Sequence, residues 1–186
     1  MKLSLRIVLL MTLGLLVPGL SVAELSPYVG ADLQWQGISL KGLHHSAFPR
    51  HSSGVNGYVG LQLIDSVGLE LGANVTKGSK SGASTKNKGL SLSVVGNYPL
   101  DCLAGKQLSL LGSAGVSHVR VSHKQNEIKL DYKKLRPKLG LGLQYELSSN
   151  LALRALGSWE GRFGSKPLNY TPKNALGASA GLLYQF

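Results

Sequence analysis

Cysteine, acidic side chains and long apolar runs are all scarce in this chain, and each scarcity closes off a class of protein. Cys102 is the only cysteine in 186 residues, so a disulfide-stapled secreted scaffold is excluded. Beyond residue 23 no stretch approaches the roughly 18 consecutive apolar residues of a membrane-spanning helix. The 24 glycines disfavour long helices of any kind. Aspartate and glutamate number 9 against 20 lysines and arginines, a formal net charge of +11 at pH 7. Polyanions and anionic membrane surfaces are therefore the partners to weigh.

The single apolar run lies at the start. Lys2 and Arg6 precede IVLLMTLGLLVPGL, and Ser21 and Ala23 are small residues three before and one before a cut after Ala23. This pattern predicts a secretory signal peptide over residues 1–23. Its removal would leave one domain, residues 24–186, with a formal charge of +9.

What that domain has in abundance is alternation. Apolar and polar residues exchange with a period of two, the mark of a strand with one apolar face. Eight segments show it: residues 28–35, 54–63, 67–75, 89–98, 107–119, 136–147, 151–160 and 177–186. In the first, Val29, Ala31, Leu33 and Trp35 oppose Tyr28, Gly30, Asp32 and Gln34. In the last, Ala178, Ala180, Leu182, Tyr184 and Phe186 form the apolar face. Leu111, Leu156 and Leu183 break the polar faces of their segments.

The connections identify the solvent. Asp65-Ser66 and Ser148–Asn150 are short links and PLDCLAGK is a third, whereas residues 36–53, 77–88, 120–133 and 161–174 read as long polar loops. Short turns at one end and long loops at the other are the pattern of a transmembrane barrel. The expected fold is all-β, an eight-stranded antiparallel transmembrane up-and-down β-barrel, with the apolar faces on lipid and the polar faces in a narrow lumen. Trp35 and Trp159 near the loop ends, and Tyr98 and Tyr145 near the turn ends, would form two interfacial girdles. Pro137 should lie at or above the outer interface, where a lost ladder bond is tolerable.

The segments SPYVGADLQW, RPKLGLGLQYEL with LALRA, and GLLYQF give the chain its likeness to a known group. It resembles the eight-stranded outer-membrane proteins of the OmpA/OmpX and opacity-protein type over essentially the whole mature sequence. The resemblance implies a Gram-negative outer-membrane barrel whose final aromatic strand, with Tyr184 and Phe186, is similar to the signal read by the barrel-assembly machinery.

Three constellations bear on function. Asp32, Glu70, Arg136, Lys138, Glu146, Arg154 and Glu160 fall on the inward face, where charges must pair because an unpaired buried charge is very costly. A plug of ion pairs is expected in preference to a small gated pore. Lys77, Lys80, Lys86 and Lys88, with Lys124, Lys129, Lys133 and Lys134, make the second and third loops cationic. These cations suit either the phosphates of outer-membrane lipid and lipopolysaccharide or, as an adhesin would need, acidic host glycans.

The third constellation is Ser117, His118, Ser122 and His123, with His44, His45, Ser46 and His51. Neighbours on a strand point to opposite faces, so Ser117 and His118 cannot make a nucleophile–base pair directly. A loop histidine cluster supplies metal-ligand types without fixing their geometry. No enzyme activity, cofactor or metal is expected. Specific nucleic-acid binding is not expected either, since Phe48, Tyr132, Phe163 and Tyr170 are few stacking platforms. The barrel is expected to act as a monomer that is structural in role, with adhesion as the alternative.

Overall fold

In hydrocarbon a strand must find hydrogen-bond partners on both edges, because no water is present to satisfy the peptide groups. The computed structural model meets this demand by closure. It describes residues 25–39, 51–80, 83–100, 107–125, 128–161 and 174–186. The proposed signal segment, residues 1–23, lies outside them.

The strands are β1 (Ser26–Ser39), β2 (His51–Ile64), β3 (Val67–Lys80), β4 (Ala83–Pro99), β5 (Leu108–Gln125), β6 (Ile128–Glu146), β7 (Leu151–Glu160) and β8 (Asn174–Gln185). Each pairs antiparallel with the next, and β8 returns to β1 to close an eight-stranded barrel. The seam is continuous from Tyr28↔Gln185 to Ser39↔Asn174, and the Phe186 amide donates to the Pro27 carbonyl at 3.0 Å.

The faces follow the alternation. Val29, Leu33, Val59, Leu71, Leu92, Leu141 and Leu182 all point outward and are exposed, while Tyr28, Asp32, Tyr58 and Glu70 point inward and are buried. Such a band of exposed aliphatic side chains around a whole molecule has no place in water and fits a bilayer. Trp35 and Tyr98 stand on this outer face, as do Tyr145, Trp159 and Tyr184. The Tyr145 hydroxyl donates to Gln107 Oε1 at 2.7 Å beside the turn, which keeps its polar tip out of hydrocarbon.

The strand ends depart from the sequence expectation at the loop end. Residues 77–88 and 120–133 are not long loops. β3 and β4 continue to Lys80 and from Ala83, and β5 and β6 to Gln125 and from Ile128, each pair separated by two residues. The wall therefore rises as two long hairpins, with 17, 18 and 19 residues in β4, β5 and β6 against 10 in β7 and 12 in β8. Pro137 sits where β7 stops. Its carbonyl accepts from the Gly161 amide at 2.9 Å, one step beyond the last β6–β7 rung at Lys138↔Glu160. The missing N–H thus falls at the end of the ladder rather than inside it.

Inside, two rings trade places across β1 and β2. Tyr28 faces Gly60 and Tyr58 faces Gly30, so each ring lies over the opposing glycine and the two meet edge to face at 6.4 Å. A Cβ at Gly30 would enter the Tyr58 ring, and one at Gly60 the Tyr28 ring. Gly57, on the outer face, has open space where its Cβ would be. Gly30→Ala and Gly60→Ala are accordingly expected to destabilise the barrel by about 1–3 kcal/mol through overpacking, and Gly57→Ala by much less. Urea midpoints of the folded band in heat-modifiability gels measure this, and equal midpoints for all three would refute the ring-on-glycine packing.

Candidate functional site

The lumen is the natural place to look for chemistry, and it is filled. Tyr28, Tyr58 and Leu183 form one buried cluster, and Val95, Leu111 and Leu156 another. The three leucines that interrupt the polar faces in the sequence are therefore packing residues of the plug. Their isolated positions carry no periodic signal, so only the closed structure shows what they touch.

Between these clusters lies a strong ion pair. Arg154 Nη1 of β7 donates to Glu70 Oε2 of β3 at 2.6 Å, and its guanidinium stacks on the Tyr58 ring at 4.7 Å. Arg154 is 4% exposed and Glu70 7%, so the charges neutralise each other away from water. Asp32, 3% exposed, is held by Asn56 Nδ2 and Ser179 Oγ, each at 3.4 Å. Nearer the loop end Arg136 and Glu160 approach to 3.9 Å, within ion-pair but beyond hydrogen-bond reach.

The seven charges taken from the sequence do not make a single network. Among these seven, Glu70 pairs with Arg154 and Arg136 with Glu160. Lys138 is half-buried beside Glu160 in the register. Glu146 is exposed at the turn end, where its amide donates to the Gln107 carbonyl, and it takes no part in the plug. It is the last residue of β6, so alternation assigns its face correctly but cannot report that the lumen has already opened to solvent.

Above the charges the lumen is lined by uncharged polar groups. Asn74 Nδ2 donates to Gln34 Oε1 at 3.0 Å, Asn87 Nδ2 to Thr76 Oγ1 at 3.2 Å and to Gln36 Oε1 at 3.4 Å, and Ser52 Oγ to Thr76 Oγ1 at 3.3 Å. Gln36, Ser52 and Asn87 lie in stretches that read as loops in the sequence, and Thr76 just past the end of the third segment, which hid their inward direction. A cavity of about 30 Å³ remains beside Arg154, Asn97 and Gln144, room for water and no larger ligand.

Four of the lysines are on the opposite face. Lys77, Lys86, Lys88 and Lys133 are exposed and point outward, alternating with buried Thr76, Thr85 and Asn87 on β3 and β4. Lys80 is exposed at the end of β3. Lys124 lies in β5 and Lys129 and Lys134 in β6, so these cations too belong to strands rather than to a loop. Ser117 is buried in the lumen while His118 is exposed on the outer wall, and they cannot act together. His44, His45 and Ser46 lie outside the described residues.

The buried pair generates a test. Arg154→Gln or Glu70→Gln is expected to cost about 3–5 kcal/mol by leaving a charge unpaired, against at most about 1 kcal/mol for Lys77→Gln on the exposed wall. Replacing both partners, as in Glu70→Leu with Arg154→Met, should recover much of the loss. Urea midpoints that do not separate lumen from wall variants would show that the pair is not buried.

Comparison with known proteins agrees with this geometry. The model of the family described as outer membrane protein beta-barrel domain matches residues 7–186. No curated protein matches. Among solved structures, the neisserial surface protein NspA superposes with a TM-score of 0.67 at 16% identity, covering 86% of this chain and 97% of that one. Ail, the attachment invasion locus protein of Yersinia pestis, gives 0.59 at 16% identity, covering 88% and 100%. Ail has also been crystallised with the heparin analogue sucrose octasulfate, a structure that gives 0.57 at 16% identity with the same coverage. A filled lumen, a lipid-facing wall, closure of β8 on β1 and the match over residues 7–186 lead to one conclusion: the chain belongs to the outer membrane protein beta-barrel domain family and is an outer-membrane β-barrel.

Proposed function

We propose that this barrel is a structural component of the outer membrane, one that binds its lipid environment rather than conducting solutes or catalysing a reaction. The observation that carries this reading is the division of labour between the two faces. The inside is spent on packing Tyr28, Tyr58, Leu183 and the Glu70–Arg154 pair, while the outside presents an apolar band with lysines above it. The working surface is the wall. Export through the amino-terminal segment, insertion by the barrel-assembly machinery at the Tyr184–Phe186 strand, and lipopolysaccharide as the surrounding lipid belong to the same reading, with the barrel acting as a monomer.

A second reading is adhesion to acidic glycans. It is favoured by the exposed lysines together with the likeness in fold to a barrel crystallised with a heparin analogue. Binding of that kind would weaken steeply with salt, as the Debye length shrinks from about 10 Å at 0.1 M to about 3 Å at 1 M.

The test has two arms. A deletion strain is expected to admit lipophilic dyes and detergents several-fold faster, with the wild-type gene restoring the barrier, and purified protein in planar bilayers should carry no steady current. A steady unitary current would overturn the plugged-barrel reading. An intact barrier in the deletion strain, with salt-sensitive loss of whole-cell heparin binding, would favour adhesion.

A further inference from the structure

The register places the outer lysines in an arrangement that is unfavourable on its own. Lys77 of β3 is directly opposite Lys86 of β4, and Lys88, Arg120 and Lys133 follow one another across β4, β5 and β6. All five point outward. Like charges directly opposite on adjacent strands repel and destabilise a sheet. Arg120 is engaged within the chain. Among the residues whose side chains are described, no carboxylate forms an ion pair with any of the four lysines.

Among the described residues the patch lies on β3 to β6. Among the described residues, the outward faces of β1, β2, β7 and β8 carry no lysine or arginine. Lys77, Lys86, Lys88 and Lys133 stand on the outer wall. They face sideways, and Leu90, two positions along β4 from Lys88, lies about 7 Å further into the band. Val75 and Leu135, two positions from Lys77 and Lys133, continue the same exposed apolar surface. A ligand that fits both levels has an anionic head at the height of the lysines and hydrocarbon running down the wall.

We infer that the outer face of β3–β6 above the apolar band is a binding site for a phosphorylated membrane glycolipid, its phosphates held by Lys77, Lys86, Lys88 and Lys133. Adjacent strands are about 4.8 Å apart, so the four lysines span about 15 Å from β3 to β6, wide enough for a sugar headgroup bearing more than one phosphate. A phosphate between opposed lysines turns their repulsion into a shared attraction and accepts hydrogen bonds from both. A soluble polyanion would meet only the cations. The inference rests on the lipid-binding reading above and assigns it to one side of the barrel.

Native mass spectrometry of the folded full-length mature protein tests it, with outer-leaflet phosphoglycolipid, the same lipid dephosphorylated, and heparin as probes. The phosphorylated lipid should be retained and should raise the unfolding temperature in heat-modifiability gels, and the dephosphorylated lipid should do neither. Replacing the four lysines with glutamine should weaken retention about fivefold per lysine, while the four Lys→Arg replacements should keep it; both variants should still show the folded band. Equal retention of the two lipids, undiminished retention by the glutamine variant, or retention of heparin alone would overturn the site. A glutamine variant that loses the lipid yet restores the barrier of a deletion strain would uphold the site while removing these lysines from the structural role.

Discussion

A peptide N–H or C=O left unpaired in hydrocarbon costs several kcal/mol, and nearly every feature of this barrel answers to that cost. It forbids a free sheet edge, so β8 must register against β1 along its whole length. It confines Pro137 to the rung where β7 ends. Closure in turn fixes the radius, and eight strands enclose a space that side chains can fill. The charge chemistry of the lumen, the ring-on-glycine packing and the direction of the lysines are consequences of a ladder that had to meet itself.

Filling that space uses two kinds of cohesion in series. Tyrosine and leucine pack where the barrel is dry, and Glu70 and Arg154 neutralise each other in the same layer, with the Tyr58 face covering the guanidinium. Above them amides and hydroxyls bond across the lumen without net charge. Such an interior is stable because its members satisfy one another, which leaves little for a solute to bind. The contrast with the outer wall is direct, since there like charges are set side by side.

Much of this was legible in the sequence, and the part that was not has a physical reason. Alternation identified eight strands, their faces and the buried positions of Asp32, Glu70, Arg136, Arg154 and Glu160, because lipid outside and a polar lumen inside impose a period of two. Above the membrane both faces of a strand meet polar surroundings and the period vanishes. Residues 77–80 and 83–86 then read as a loop although they form a ladder from Lys77↔Lys86 to Lys80↔Ala83. Which inward charge meets which was equally hidden, because Glu70 and Arg154 are 84 positions apart and become partners only when the barrel closes. Leu111, Leu156 and Leu183 look like defects in three separate strands until closure brings them into the plug.

The unequal strands give the molecule a front and a back. β4 to β6 stand seven to nine residues longer than β7, and it is this tall side that carries the lysines. A barrel of uniform height could rotate about the membrane normal without its neighbours sensing the difference. This one cannot. Whatever lies beside β4 to β6 in the plane meets a tall wall with outward lysines, whereas β7 ends at Glu160, so the barrel's azimuth becomes a variable of lateral organisation, much as a polar molecule acquires orientation in a field that a round one ignores.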